Sequence, residues 1–152
     1  VLDSFEYTKD SLNHLYFYNN FTVVDGDVRD SKLIKKLIKN QDFIIPLAAL
    51  VGAPLCEENK KKAVAINYSS ILTMLKQVNR NQKIIYPTTN SGYGIGEKNK
   101  YCDENSPLKP ISLYGKTKVE SEKIIMENKM SHSIWHHLCN CFYINYTCIL
   151  GN

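Results

Sequence analysis

The segment KIIYPTTNSGYG at residues 83–94, followed by LYGKTKVESEK at residues 113–123, sets the fold class. The first segment is an apolar, β-branched run that passes into a loop of Thr, Asn, Ser and Gly, which predicts a strand over 83–86. The second segment has well-mixed charges and predicts a surface helix over 114–128. A short strand followed by a helix is the repeating unit of a parallel α/β sheet.

The chain before residue 83 repeats this unit twice. Strands are predicted at 21–24 and 43–47, and helices at 30–40 and 61–79. Asp30 is a suitable N-cap for the first of these helices, which carries one apolar stripe opposite its lysines. The run 43–47 is expected to be a buried strand. The sequence therefore predicts an α/β fold with a parallel sheet.

Composition excludes several classes of protein. The 152 residues, 43% hydrophobic and 22% charged, are enough for one ordinary core and argue against a disordered chain. A net charge of +4 does not predict a nucleic-acid or membrane partner, and no apolar run approaches the roughly 20 residues of a membrane span. Five cysteines, with Cys56 and Cys102 in polar surroundings, indicate reduced thiols in a cytoplasmic protein.

Polar and small residues follow each predicted strand. Asp3 follows the apolar start of the chain, Asp27 follows the next run, and the segments 47–49 and 88–91 follow the other two. Ligands of open parallel sheets bind beyond the carboxyl ends of the strands. The chemistry of all four positions suits a dinucleotide.

Tyr114 and Lys118 are four residues apart in the last predicted helix, so their side chains share a face. An ammonium beside a phenol is expected to lower the pKa of the phenol from about 10 toward the working range of a general base. A surface Tyr packed beside a surface Lys has the same spacing. Thr89 favours the functional interpretation. It lies in the loop that leaves a strand, where its hydroxyl can relay a proton to the same substrate oxygen.

With these residues in order, the sequence resembles the extended short-chain dehydrogenase/reductase family, and within it the nucleotide-sugar epimerases and dehydratases. The resemblance runs over residues 1–130. Its most specific part is TTNSGYG followed by the Tyr-x-x-x-Lys segment YGKTK. The other segments that match the family are VLDSF, DGDVRD, PLAALVG and AINYSS.

The resemblance implies a Rossmann-like three-layer fold that binds NAD. It makes Tyr114 the catalytic base, Lys118 the residue that tunes this base and holds the nicotinamide ribose, and Thr89 the family's Ser/Thr. The implied cofactor-binding residues, besides Lys118, are Asp3, Ser4, Asp27, Val28, Leu47, Ala48, Ala49 and Asn67. An acid at Asp3 favours NAD over NADP, because it repels a 2′-phosphate. Taken singly, these residues also suit turns, close packing or a helix surface.

Departures from the family pattern limit what the chain is expected to do. The Gly-rich phosphate-binding turn would precede Asp3, and the sequence does not contain it. The chain is therefore interpreted as a fragment truncated at both ends, lacking the first β-α unit and the C-terminal substrate domain. It is expected to bind NAD weakly or not at all. The intact parent is compatible with a homodimer formed through the helix that carries Tyr114 and Lys118.

The residues after Thr89 favour one activity within the family. Dehydratases of the family place an acidic pair there, and this chain has Asn90 and Ser91. The resemblance then implies an epimerase that oxidises a nucleoside-diphosphate sugar to a keto-sugar and reduces it again, with the fragment inactive alone. The alternatives are a nucleotide-sugar reductase or decarboxylase of the same family, or a non-catalytic NAD-binding remnant.

Residues 131–152 form an atypical tail after the partial NAD-binding domain at 1–130. All the charged residues precede the tail, which contains His132, His136, His137, Cys139 and Cys141. Their spacing matches no closed zinc site, so no metal is predicted. An apolar strand pair is one interpretation. Another is translation out of frame, because the codons TGC-AAC-TGT-TTT for residues 139–142, read one base later, encode the Ala-Thr-Val-Phe expected in the family.

Overall fold

The computed structural model describes residues 1–95, 102 and 105–128. The strands are β1 (Leu2–Asp3), β2 (Val24–Asp25), β3 (Phe43–Ile44) and β4 (Lys83–Ile84). The α-helices are α1 (Ser31–Ile38), α2 (Ala53–Glu58), α3 (Lys60–Val64), α4 (Ser70–Leu75) and α5 (Leu113–Glu127). Short 3₁₀ turns lie at Asn13–Leu15 and Asn90–Gly92, and a π-helical segment, Ala65–Ser69, joins α3 to α4.

All the described strand pairs are parallel, which confirms the predicted direction of the strands. β1 pairs with β2 and β3 pairs with β4, with Leu2 opposite Val24 and Ile44 opposite Ile84. The two pairs are not hydrogen-bonded to each other within the described residues, where one continuous sheet was expected.

The first helix begins as the sequence predicts. The Asp30 carboxylate accepts hydrogen bonds from the backbone N–H groups of Lys32 (2.9 Å) and Leu33 (3.1 Å). These bonds satisfy two of the donors that a helix start leaves unpaired. Ile34 and Ile38 from the apolar stripe are buried, which confirms the face predicted for α1.

The main core lies where α1, α4, β4 and α5 meet. Its buried residues include Ile71 and Met74 of α4, Ile84 of β4 and Ile125 of α5. A smaller cluster contains Leu50, Cys56 and Ala63. Cys56 is fully buried there despite its polar sequence neighbours, and both described cysteines are free thiols, as predicted. α2 was not predicted, and it begins beside Pro54 and supplies Cys56 to this cluster.

The segment 43–47 is less buried than its composition predicts. Phe43, Ile45 and Leu47 are each more than half exposed, whereas Ile44 packs against the main core. Side chains alternate between the two faces of a strand, so only one face of this run reaches the core. The expectation of a fully buried strand is therefore wrong.

The predicted helix over 61–79 consists of three consecutive pieces. α3, the π-helical segment and α4 together run from Lys60 to Leu75, and the regular α-helical ladder is interrupted at 65–69. Single π turns of this kind are frequent at functional sites. None of the described helices is long and apolar enough to cross a membrane. Across the described part of the chain, no group of His, Cys, Asp and Glu side chains is arranged to hold a metal ion, and the tail cluster lies outside it.

Candidate active site

The start of α5 places Tyr114 against the loop that follows β4. The Ser112 hydroxyl accepts a hydrogen bond from the Gly115 N–H (3.1 Å) and caps the helix. The loop passes so close to α5 that a Cβ on Gly115 would lie 2.7 Å from the Ser91 carbonyl oxygen. Glycine at this position therefore allows the loop that carries Thr89 to contact the first turn of α5.

Thr89 and Tyr114 are brought together as the sequence predicts. The Thr89 side chain is close enough to Tyr114 to lower the pKa of its phenol, and the Thr89 hydroxyl accepts a hydrogen bond from the Ser91 N–H (3.3 Å). Burial raises the pKa of Tyr114, while the Thr89 side chain lowers it and the nearby Cys56 raises it further. The half-buried Tyr114 is therefore a neutral phenol at pH 7.

Lys118 lies one turn further along α5 and is 5% exposed. Its Nζ is 4.0 Å from the centroid of the Tyr86 ring. Burial lowers the pKa of Lys118 to about 8, and the Glu122 carboxylate acts in the opposite direction. Among the described residues, the side chains that shift the Tyr114 pKa are Thr89 and Cys56, not Lys118. The prediction that Lys118 lowers the pKa of Tyr114 is thus wrong, because the ammonium rests on Tyr86 and burial dominates at Tyr114.

Asn67 connects three parts of the site. Its side chain accepts a hydrogen bond from the Leu50 N–H (2.7 Å) and donates one to the Leu50 carbonyl (2.9 Å). It also donates to the Thr117 hydroxyl (3.4 Å), and its own carbonyl accepts a bond from the Ser121 hydroxyl (2.7 Å). Asn67 is 2% exposed, so the alternative of a helix-surface residue is wrong.

The segment Leu47, Ala48 and Ala49 leads from β3 to the Leu50 backbone that Asn67 binds. Leu47 and Ala48 are exposed, and Ala49 is half-buried. Small exposed side chains leave the backbone accessible to a ligand at this strand end. The structure therefore places this segment beside the Asn67 network, and its contact with a cofactor stays a prediction.

Asp3 is the last residue of β1, and Asp27 lies two residues beyond the end of β2, the strand that pairs with β1. The Asp3 carbonyl accepts a hydrogen bond from the Gly26 N–H (2.9 Å), which joins the two strand ends. The Asp3 carboxylate accepts from the Phe5 N–H (2.7 Å), and Ser4 between them is exposed. Carboxylates at two adjacent strand ends are suitable acceptors for ribose hydroxyls and for the adenine amine.

The Asp27 carboxylate forms an ion pair with Arg29. Arg29 binds its carboxylate through both guanidinium and backbone nitrogens, and this hydrogen bonding holds the pKa of Asp27 below its usual value. Lys62 also lowers that pKa, and its ammonium pairs with Glu6. Val28 is half-buried and packs against the main core.

Several residues of the site were missed by sequence reasoning. Thr88 donates a hydrogen bond to Glu122 (2.8 Å), and Ser121 lies close enough to Tyr86 to influence the pKa of its phenol. The spacing of Lys118 and Glu122, four apart in KTKVESE, is the one signal that could have indicated a pair. Nothing local in the sequence marks Tyr86, because its contact with Lys118 depends on how β4 packs against α5.

The parallel strand pairs, their helices and the polar strand ends define a Rossmann-type chain. A family model described as GDP-mannose 4,6 dehydratase matches residues 2–148. The chain therefore belongs to this family of NAD-dependent nucleotide-sugar epimerases and dehydratases, which confirms the resemblance and the predicted fold class. The match extends past residue 130, where the motif resemblance ends, into the tail.

Relatives with assigned names agree with this membership. UDP-glucuronate 4-epimerase 4 of Arabidopsis thaliana is 32% identical over 107 residues, which cover 67% of this chain and 24% of the relative. The UDP-Glc/GlcNAc 4-epimerase of Campylobacter jejuni superposes with a TM-score of 0.76 at 24% identity, covering 86% of this chain and 41% of that one.

A solved dehydratase has the same fold. DesIV, a dTDP-glucose 4,6-dehydratase of Streptomyces venezuelae with NAD bound, gives a TM-score of 0.75 at 24% identity, covering 82% of this chain and 39% of that one. The chain spans about a quarter of the length of the curated epimerases it matches. Epimerases and dehydratases therefore share the fold of this chain, and the choice between these activities has to come from the site residues.

Proposed function

We propose that this chain is part of an NAD-dependent nucleotide-sugar epimerase, acting on a nucleoside-diphosphate hexose such as a UDP-sugar. The observation that carries the proposal is the placement of Thr89 beside Tyr114, where the loop after β4 meets the start of the helix that bears Lys118, with Asn90 and Ser91 next in the chain. The named epimerase relatives support the same choice.

Each site residue has a distinct task in this proposal. Tyr114 removes the proton from a sugar hydroxyl, and Thr89 holds the same oxygen by a hydrogen bond. Lys118 binds the nicotinamide ribose, and Asp3 and Asp27 bind the adenosine end. Bound NAD supplies the acceptor that takes a hydride from the sugar carbon and returns it. Asn67 is a positioning residue, because it fixes the loop after β3 relative to α5.

Asn90 and Ser91 favour epimerisation over dehydration. Elimination of water from the sugar needs an additional acid and base, and neither side chain carries a carboxylate. The nearby Glu122 carboxylate is already engaged, because it accepts a hydrogen bond from Thr88 and raises the pKa of Lys118. Oxidation and re-reduction of one carbinol carbon needs only the base and its partners.

The protonation of Tyr114 explains why the chain alone is expected to be inactive. Its pKa lies above the usual value, so the phenol holds its proton at neutral pH. Removing that proton requires a positive charge near the phenolic oxygen. In this proposal that charge is supplied only when the cofactor and the rest of the protein complete the site.

The test is an assay of the intact gene product with UDP-glucose and UDP-glucuronate, followed by mass spectrometry and chromatography of the sugar nucleotides. An epimerase yields a product of unchanged mass with no net change in NADH. A product lighter by one water would indicate a dehydratase. Loss of carbon dioxide or net use of NADH would indicate a decarboxylase or reductase. No turnover of any sugar nucleotide, with NAD binding retained, would indicate a non-catalytic remnant.

A further inference from the structure

The side chain of Lys118 is buried, and its ammonium lies near Tyr86 and Glu122. Its Nζ lies over the face of the Tyr86 ring, 4.0 Å from the centroid. Glu122, one helical turn further along α5, supplies the nearby negative charge. An opposite charge and an aromatic face both stabilise a buried cation, whose charged form desolvation disfavours.

Both neighbours are themselves held in place. Thr88 donates a hydrogen bond to a Glu122 carboxylate oxygen at 2.8 Å, and Thr88 directly precedes Thr89. Ser121 lies close enough to Tyr86 to influence the pKa of its phenol, and the Ser121 hydroxyl donates to the Asn67 carbonyl at 2.7 Å. The position of the Lys118 ammonium is thereby linked to the loop after β4 and to the π-helical segment.

We propose that Tyr86 and Glu122 are positioning residues that hold Lys118 as an oriented cation in the resting site. The Tyr86 ring fixes where the ammonium lies, and the Glu122 carboxylate, fixed by Thr88, compensates its charge. The inference rests on the proposed function in one respect: Lys118 is taken as the residue that binds the nicotinamide ribose.

The titratable groups around Lys118 agree with this arrangement. Burial lowers the pKa of Lys118 to about 8, and Glu122 opposes the decrease. Tyr86 on the β4 side and Tyr114 on α5 both have raised pKa values because of burial, so they are neutral phenols at pH 7. The Cys56 thiol, which acts on Tyr114 from the side of α2, also has a raised pKa because of burial. Among the groups described around Lys118, Glu122 is therefore the one that favours its charged form.

The test is an NMR titration of the lysine side chains in the full chain labelled with isotopic lysine, with the Lys118 signal assigned by its loss in Lys118→Arg. Glu122→Gln is expected to lower the Lys118 pKa by about half a pH unit or more. Glu120→Gln, an exposed position on the same helix, makes the same change in net charge and is the matched control. It is expected to leave the titration of Lys118 unchanged.

The contact with the ring is tested by a second pair of variants. Tyr86→Leu removes the aromatic face and is expected to lower the Lys118 pKa by about half a pH unit, whereas Tyr86→Phe keeps the face and the pKa. If Glu122→Gln fails to fold, Thr88→Val releases the carboxylate from its hydrogen bond and is expected to lower the same pKa by a smaller amount.

Equal Lys118 pKa values in Glu122→Gln and Glu120→Gln, or in Tyr86→Leu and Tyr86→Phe, would overturn the inference. The titration uses no cofactor and no sugar. It can therefore fail while the epimerase proposal stands, and it can succeed on a chain that has no activity.

Discussion

The two strand pairs of this chain carry their candidate site residues in different ways. At the ends of β1 and β2, Asp3 and Asp27 form hydrogen bonds with residues two positions away, and their neighbour Ser4 is exposed. Around β4 and α5, Asn67 and Lys118 are buried and joined to residues far along the chain. The first region is a local surface arrangement, whereas the second depends on the tertiary fold. Substitutions in the second region should therefore affect the whole molecule more.

The largest effect on stability is expected from Asn67→Leu. This substitution leaves the buried N–H and C=O of Leu50 without their partners, each at a cost of about 1–3 kcal/mol. The free energy of unfolding, measured with urea, is expected to fall by about 3 kcal/mol or more. Ser69→Ala, exposed in the same π-helical segment, is the control and should change it by about 0.5 kcal/mol at most.

Lys118→Met is expected to stabilise the protein at pH 7. The Lys118 pKa of about 8 lies below its ordinary value of 10.5, so burying the charged form costs about 3 kcal/mol at low pH. That cost is removed as the pH rises from 8 to 10.5, because over this range the unfolded chain binds the proton more tightly than the folded chain.

The control for this prediction is the pH dependence of the unfolding free energy in both proteins. Stability of the native chain should rise relative to Lys118→Met between pH 8 and 10.5. The raised pKa values of Tyr86 and Tyr114 act in the opposite direction above about pH 10 in both proteins, so they cancel in the difference. A difference that does not vary with pH would contradict the depressed pKa of Lys118.

Gly115→Ala is expected to destabilise the chain by about 2 kcal/mol, because the new Cβ would lie 2.7 Å from the Ser91 carbonyl oxygen. The same change in an open helix stabilises by about 1 kcal/mol, so the sign of the effect is informative. Lys116→Ala, at an exposed neighbouring position, is the control. Stabilisation by Gly115→Ala would mean that the loop after β4 does not rest on α5.

Asp27→Asn should have the smallest effect. The Asp27–Arg29 pair is exposed, and exposed ion pairs contribute about 0.5 kcal/mol or less. Thermal unfolding should therefore shift by a few degrees at most. If Asp27→Asn destabilised the chain as much as Asn67→Leu, the contrast between the two regions would be wrong.

The same contrast separates what the sequence could predict from what it could not. The cap at Asp30, the apolar stripe of α1 and the contact of Thr89 with Tyr114 follow from local spacing and from the order of the motifs. The exposure of Phe43 and Ile45, the burial of Cys56 and the place of the Lys118 ammonium on Tyr86 depend on which faces pack together. A one-dimensional pattern does not contain that packing, so the predicted direction of the Tyr114 pKa was wrong.

The proposal that the region around α5 carries the chemistry is tested by epimerisation of a UDP-sugar in the intact gene product and in two Tyr→Phe variants. Tyr114→Phe removes the base and is expected to lower kcat by about 100-fold or more, with the free energy of unfolding little changed. Tyr7→Phe, at an exposed tyrosine near β1, is the matched control and should retain full activity. Epimerisation by Tyr114→Phe at the rate of Tyr7→Phe would contradict the account.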